Sequence, residues 1–441
     1  MLLDSGFAEI LGTVPCDYWA RMEDHLKPQS SNAIPCNIYG DECNALDSSY
    51  MVFTWMSECS IAPNDSMFSR HLITIIPAEN YAKDGVTRSN QTLQAAMEEI
   101  IFSFARLSDP GVRGLFLECV GIKGDWKFHR QIANLERHYN TNRLCHLCLA
   151  TKSLEVPFTD VDVNATWRGT LNAEPPWATE RAPALTMLRG FSPMWLLPDP
   201  LHVWYLGVAR DIVGSAMLLL VRKKGFWPGS TQEKRMWSAT KSFRAWMKAH
   251  GCGGLPKRWH FSKSKITMVG GEYAHFKDKG ARAGYATQWL FDELNTKDCE
   301  NDTLRALLWA ANFSVGVMAN AGLFLTAEEA AQVHHTGEFF MQQYLVLHHA
   351  GCSGEYKVWQ LRPKLHLLHH MFCFCENKPA GCKNPWKNAC WMDEDFLKKL
   401  MVVIKGCHKT TACTNTLKRY LLGLEDKFDE ITGGAFRALC F

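Results

Sequence analysis

Ala33-Ile34-Pro35-Cys36-Asn37-Ile38-Tyr39-Gly40-Asp41 is an apolar run that closes on an acid, and Gly114-Leu115-Phe116-Leu117-Glu118-Cys119-Val120-Gly121-Ile122-Lys123-Gly124-Asp125 is a second run of the same kind. Both read as strands, and each acid then sits just past a strand end, where a carboxylate can reach a cation. Two more strands are expected between them, Tyr50 to Cys59 (YMVFTWMSEC) and His71 to Pro77 (HLITIIP). Their β-branched and aromatic residues, bounded by Ser, Asn, Asp and Pro, give the pattern. From Asn90 to Leu107 apolar residues recur at helical spacing, with Ser89 or Asn90 as N-cap and Asp109-Pro110 as the stop.

The order β-β-β-α-β, with acids after the first and fourth strands, is that of a ribonuclease-H-like fold, an α/β class built on a mixed sheet. The 441 residues then divide into an N-terminal arm (1–30), the first part of the core with a CxxC zinc knuckle (31–199), a large all-α insertion (200–360), and a closing segment (361–441) that completes the core. A hydrophobic content of 47% is ample for a buried core. A net charge of +3 is too small to name a partner, so any nucleic-acid surface has to come from local clustering.

Seventeen cysteines is an odd count, and Met1-Leu2-Leu3-Asp4 lacks the basic start and long apolar core of a secretory signal. A reduced compartment is expected, with some thiols as metal ligands and others buried. The longest apolar run, Ile212 to Val221, is shorter than the roughly 20 residues a bilayer crossing needs, so a soluble protein with no membrane partner is expected. The short opening before the first strand reads as the tail of a longer region.

Cys145-His146-Leu147-Cys148 holds two thiols at zinc-knuckle spacing, after an expected helix from Lys127 to Tyr139. Leu365-His366-Leu367-Leu368-His369-His370 offers histidines three and four apart on one helix face. Two thiolates and two imidazoles would close a tetrahedral structural Zn2+ site, with His366 and either His369 or His370 as ligands, and would clamp the returning chain against the first half of the core. The bland reading is a chance CxxC and a polar helix face. Cys373, Cys375, Cys382 and Cys390 form a competing, irregularly spaced set.

Asp393-Glu394-Asp395 opens an amphipathic stretch, Phe396 to Lys405. Acids in a first helical turn serve the helix dipole, and one of them can equally be the third ligand that two-metal phosphodiester chemistry requires. Asp199-Pro200-Leu201-His202 has the Asp and Pro that start a helix, expected to run through Val221. Between Lys234 and Lys265 stand nine lysines and arginines and no acid, interleaved with Trp237, Phe243, Trp246, Trp259 and Phe261. Lys241, Arg244, Lys248, Lys257 and Arg258 are the candidate phosphate contacts there, with the rings as stacking platforms for bases. A second basic helix is expected from Lys409 to Arg419.

The shared order of Asp41, Asp125, Cys145, Cys148, the DxxH at Asp199 to His202, the histidine pair and a late acid resembles DDE/D transposases of the CACTA-related superfamily, and in the same way the antigen-receptor recombinase core. GDWKFHRQIANLERHY leading into CHLC, LPDPLHVWYLGVARDIVGSAM, RPKLHLLHH and the NPW to MDED segment resemble transposase-like proteins of dinoflagellates. The resemblance spans the chain from about Pro35 onward. It implies catalytic Asp41, Asp125 and Glu394 holding Mg2+ or Mn2+, with Asp393 and Asp395 as alternative third acids. It also implies zinc on Cys145, Cys148, His366 and His370, and Asp199 and His202 as supports of the active site. The implied function is DNA strand cleavage and transfer on transposon ends and target, by a homo-oligomer when active, in the nucleus. The alternatives are a catalytically inactive, transposon-derived DNA-binding or interaction protein, and an exonuclease-like enzyme using Glu42 beside Asp41.

Overall fold

The structure is a computed structural model that describes residues 18–22, 33–59, 65–85, 89–108, 116–178, 182–266, 273–297, 301–352 and 357–432. Apart from 18–22, the expected N-terminal arm lies outside these residues, as do Asp109 and Pro110. The chain forms two compact units. One, an α/β unit, comprises 1–149, 171–199 and 389–441, and the other, a helical unit, comprises 150–170 and 200–388. Where an insertion of 200–360 was expected, the helical unit also takes in 150–170 and the histidine-bearing segment up to 388.

The α/β unit is built on a four-stranded mixed sheet of β1 (Ala33–Ala45), β2 (Ser48–Ser57), β3 (His71–Pro77) and β4 (Phe116–Lys123), in the order β3-β2-β1-β4. β1, β2 and β3 pair antiparallel and β4 joins β1 in parallel. A one-turn helix, α1 (Ser66–Ser69), precedes β3, and α2 (Gln91–Ser108) carries the chain to β4. Asn90 is the cap of α2, its Oδ1 accepting the Leu93 amide at 3.2 Å.

Two boundaries differ from expectation in ways that bear on the acids. β1 continues four residues past Asp41 because Leu46 and Asp47, both at positive φ (51° and 56°), make the two-residue reversal that suits an antiparallel hairpin. Asp41 therefore lies within β1, opposite Val52, and marks instead the place where the parallel ladder to β4 has ended. The helix after Asp125 is short, α3 (Trp126–Ile132) and not Lys127 to Tyr139, because Asn134 adopts a left-handed φ of 48°.

Both faces of the sheet are covered. Ile38, Met51 and Phe53 meet Leu93, Met97, Ile101 and Phe104 of α2 and Phe128 and Ile132 of α3 on one side. Tyr39, Tyr50 and Val52 meet Phe396, Leu397, Leu400 and Ile404 of α10 (Trp391–Lys405), with Tyr420 of α11 (Ala412–Thr432), on the other. Such two-sided burial explains why the strands read as nearly continuous apolar runs. The expected basic helix from Lys409 is a 3-10 turn, Lys409–Thr411, that leads into α11.

In the helical unit a π-helical segment, Leu201–Val208, runs into α4 (Ala209–Arg222), followed by α5 (Gln232–Ala249), α6 (Gly280–Thr296), α7 (Asp302–Asn320), α8 (Ala327–Cys352) and α9 (Pro363–Cys373). Two short strands, β5 (Phe324–Leu325) and β6 (Cys382–Lys383), pair antiparallel. Leu201–Arg222 is long and apolar enough to cross a membrane, but 78% of its most apolar window is buried inside the protein, as for a core helix.

Three of the five aromatics of the basic segment belong to this unit's core, while Trp237 is exposed and Trp246 half-buried. Phe243, Trp259 and Phe261 are buried, Phe261 stacks on Trp289 (5.5 Å), and Trp289 stacks on Trp227 (5.6 Å). They are not platforms for bases. Arg244, expected on phosphate, donates instead to the carbonyls of Leu255, Pro256, Lys257 and Trp259 and so ties down the loop after α5. Lys241, Lys248, Lys257 and Arg258 are exposed.

Candidate active site and metal centre

The two aspartates lie just beyond the close of the parallel β1–β4 ladder, Asp41 still within β1 and Asp125 past the end of β4. The β1–β4 ladder closes with Tyr39 opposite Lys123, and Asp41 and Asp125 each follow two residues later. Each is preceded by glycine, and the reason is steric. A Cβ on Gly40 would come within 2.2 Å of the Phe128 ring, and Gly124 holds a φ of 153° with the Gly40 carbonyl only 2.8 Å from where its Cβ would stand. The repeated Gly-Asp lets α3 seat on the strand ends. That repeat was legible in the sequence and marks Phe128, the residue that sequence reasoning missed.

Asp125 caps α3, its Oδ1 accepting the Phe128 amide at 2.7 Å. Asp41 accepts from the Glu42 amide at 2.7 Å and from the Tyr39 hydroxyl at 3.4 Å. Burial, then the negative charge of Asp41 and of groups at the start of α10, including Asp393 and Glu394, pushes the Tyr39 phenol well above its ordinary range. Lys127 stands by the same acids. Its ion pair with Glu42 (2.6 Å), with Asp125 and Asp41 adding, holds the ammonium above its usual value.

The three consecutive acids of α10 have three different surroundings. Asp393 is fully buried between Arg70 (2.9 Å) and Lys123 (3.0 Å), themselves buried. Burial pushes its carboxyl up, and Lys123 and Arg70 outweigh that to hold it below the ordinary carboxylate range. Asp395 accepts from Ser66 of α1 at 2.7 Å and pairs with Lys399. Glu394 holds no ion pair among the described residues, and α10 packs against β1. None of the three caps the helix, whose N-cap is Cys390. The Cys390 amide donates to Asp199 Oδ1 at 3.0 Å, so Asp199 steadies the start of α10. His202 is half-buried within that segment.

Among the described residues the carboxylates of Asp41, Asp125 and Glu394 do not form a tight ligand group, whereas two other sets do. The ligand atoms of Cys145, Cys148, His366 and His370 all lie within 4.8 Å of one another, and all four side chains are buried. The Nε2 atoms of His366 and His370 are 3.1 Å apart. Two thiols and two imidazoles are the donor set of a tetrahedral zinc site, and this Cys2His2 cluster could hold a metal ion such as zinc. Two details of the thiol half fit thiolates. The Leu147 amide donates to Cys145 Sγ at 3.4 Å, and Arg137, 3% exposed, is buried beside both sulfurs with Nε and Nη1 unpartnered among the described residues. A buried guanidinium with idle donors is costly unless negative charge lies close by. His146, between the cysteines, turns away to the Leu196 carbonyl at 3.2 Å.

His369 belongs to the second set, with Glu338 (3.0 Å) and Cys373, where Arg168 reaches both Glu338 (2.6 Å) and His369 (2.7 Å). Burial pushes the Glu338 carboxyl up, and His369 and Arg168 outweigh it, bringing it down to about 2. A guanidinium already contacts two members of this set. Trp167 packs its ring edge-on against His366, His369 and His370 (4.7 to 5.1 Å), which fixes the face that each imidazole presents. Cys373, Cys375, Cys382 and Cys390 make no four-cysteine group among the described residues, although Cys375 and Cys382 lie 3.9 Å apart. No family model and no curated protein matches this chain.

Proposed function

We propose that the chain is a DNA transposase or a transposase-derived protein whose α/β unit is a ribonuclease-H-like nuclease core. The observation that carries this reading is that Asp41 and Asp125 each follow by two residues the close of the parallel β1–β4 ladder, with α10, which carries Glu394, packed against β1 while Asp393 and Asp395 are held by other partners. Carboxylates are the donors that Mg2+ and Mn2+ take, and Asp41, Asp125 and Glu394 would hold those ions. Bound there, two ions would activate a water or a DNA 3′-hydroxyl and stabilise the leaving oxygen in line. The protein's own part is positioning. The Phe128 contact with Gly40 and Gly124 sets the strand ends, and the buried Asp393 pairs set the phase of α10. The Cys2His2 cluster, with no ligand position left for water, takes a structural role.

The test is Mg2+-dependent cleavage of a labelled DNA strand. Asp125→Asn is expected to abolish it, and undiminished cleavage would remove Asp125 from the mechanism.

A second reading, a binding protein that has lost catalysis, draws support from two observations. Asp125 is engaged as a helix cap, and Lys127 already supplies positive charge beside the acids. The absence of cleavage by wild-type protein at any Mg2+ or Mn2+ concentration, with DNA binding retained, would favour it.

A further inference from the structure

A groove of about 920 Å3 opens beside these acids, within the α/β unit, and its wall is the solvent face of α3. Lys127, Arg130 and Gln131 fall at i, i+3 and i+4 on that helix, and Asn134 follows at i+7 just beyond it, so four lining residues share one stripe. Lys83 and Asn90 line the opposite side. The volume lies within the range of about 300 to 1,000 Å3 usual for ligand sites.

Three features of the lining point to a ligand. Lys83 and Arg130 are exposed cations without an ion pair among the described residues, and Lys127, paired with Glu42, is a third; Asp84 and Glu136 also line the groove, so its lining holds three cations and two acids. Asn90 is 5% exposed, and because its Oδ1 is spent capping α2, its Nδ2 is left buried with no partner among the described residues. Gln131 Oε1 and Asn134 Oδ1 are buried and unpartnered on the facing wall. Buried amide atoms without partners cost about 1 to 3 kcal/mol each, a cost that a bound group with matching donors and acceptors removes. The wall behind them is firm, since Gln94 of α2 donates to the carbonyls of Gln131 and Ile132 at 3.1 and 2.9 Å.

Cations that suit phosphate oxygens, above amides that suit the edge of a base, match one chemistry: an unpaired nucleic-acid strand, whose base edges are open to contact. We propose that this groove holds the DNA strand next to the bond to be cut and that Lys127, shared between the groove and the acids, lies where the strand passes from one to the other. The proposal rests on the nuclease reading above and adds the path of the substrate. Phosphates bind along Lys83, Arg130 and Lys127, and Asn90, Gln131 and Asn134 meet a base.

The experiment is fluorescence anisotropy of a labelled single-stranded oligodeoxynucleotide with the full chain, without added divalent cation, over a series of salt concentrations. The double variant Lys83→Glu/Arg130→Glu changes only exposed side chains. It is expected to bind about tenfold more weakly near 0.1 M salt and to lower the slope of log affinity against log salt by about 1.4, two single-strand phosphate contacts at roughly 0.7 each. Binding within twofold of wild type with the same slope overturns the groove while leaving the nuclease reading to its own cleavage test. Loss of binding in Lys248→Glu/Lys257→Glu but not in the groove variant places the strand on the helical unit and also overturns the proposal. No binding by wild-type protein removes the nucleic-acid reading and the groove together. Asp125→Asn, which removes a carboxylate and no cation, separates the two ideas: intact binding without cleavage supports both.

Discussion

Asp393→Asn removes one negative charge from a place where two positive charges depend on it. Lys123 is 1% exposed and Arg70 is 7% exposed, and their bonds to Asp393 are 3.0 and 2.9 Å. Burial pulls the Lys123 ammonium down, and Asp393 outweighs that to hold it above its usual value, so the amide variant leaves a buried cation with no counter-charge. Breaking a buried pair from one side costs about 3 to 5 kcal/mol. At about 2 to 4 °C per kcal/mol for a unit of about 150 to 250 residues, the melting temperature should fall by about 6 to 20 °C, measured by circular dichroism or calorimetry. The direction of the pH dependence follows from the depressed carboxyl of Asp393. Its contribution is present above the unfolded value of about 3.9 and is lost as pH falls through the lower folded value, so the gap between wild type and variant should stay constant from pH 8 to 5 and close only below about 4. Glu394→Gln, one residue along, should melt within about 0.5 kcal/mol of wild type and yet lose metal-dependent cleavage. An Asp393→Asn protein that melts within about 2 °C of wild type would refute the argument, as would a gap that grows on acidification.

Purified protein should carry one zinc per chain by elemental analysis. Cobalt exchanged into the site should show the visible absorption of a tetrahedral S2N2 centre, lost in Cys148→Ser and kept in His369→Gln, whose side chain faces Glu338 and Arg168. Acid sensitivity should appear above the carboxylate range because burial, then neighbouring His146, lowers the His129 imidazole to about 3 while its Nε2 contacts the Ile122 carbonyl. The unfolded chain binds this proton below about 6.5 and the folded chain does not, so stability should rise with pH from about 3 to 6.5 by up to about 1.4 kcal/mol per unit. The urea midpoint of His129→Gln should change less than that of wild type between pH 7 and pH 5, and an equal change would discard this assignment.

The sheet was largely legible because local pattern decides it. HLITIIP is β3 from first residue to last, and α2 begins one residue after its Asn90 cap. Where a boundary was misread, a backbone conformation had overruled side-chain character. Asp41 and Glu42 look like the end of a strand, but the reversal at Leu46 and Asp47 keeps their backbone paired with Val52 and Met51. The surroundings of Asp393, Glu394 and Asp395 were not legible, since the partners of Asp393 are 323 and 270 residues away in sequence. Lys123, a cation inside an apolar strand, was the clue that some acid had to meet it. The basic, aromatic stretch from Lys234 to Lys265 misled because Phe243, Trp259 and Phe261 have the same composition whether they stack on bases or on one another. The paired sulfurs and imidazoles could be matched by spacing, but the choice of His370 over His369 depended on Glu338 and Arg168, which no spacing rule connects.

The buried ion pairs of Asp393 also limit what can change in the loop ahead of α10. An α-helix turns by about 100° per residue, so deleting or inserting a single residue between Asn388 and Asp393 would bring a different side chain round to Arg70 and Lys123. A deletion that brought Glu394 into that position would leave the charge balance of the interior intact while withdrawing the one acid of the three that holds no ion pair among the described residues. Among descendants of this chain, folding alone would therefore not reveal the loss of the proposed active site, and the length of this connection would be the first place to look for it.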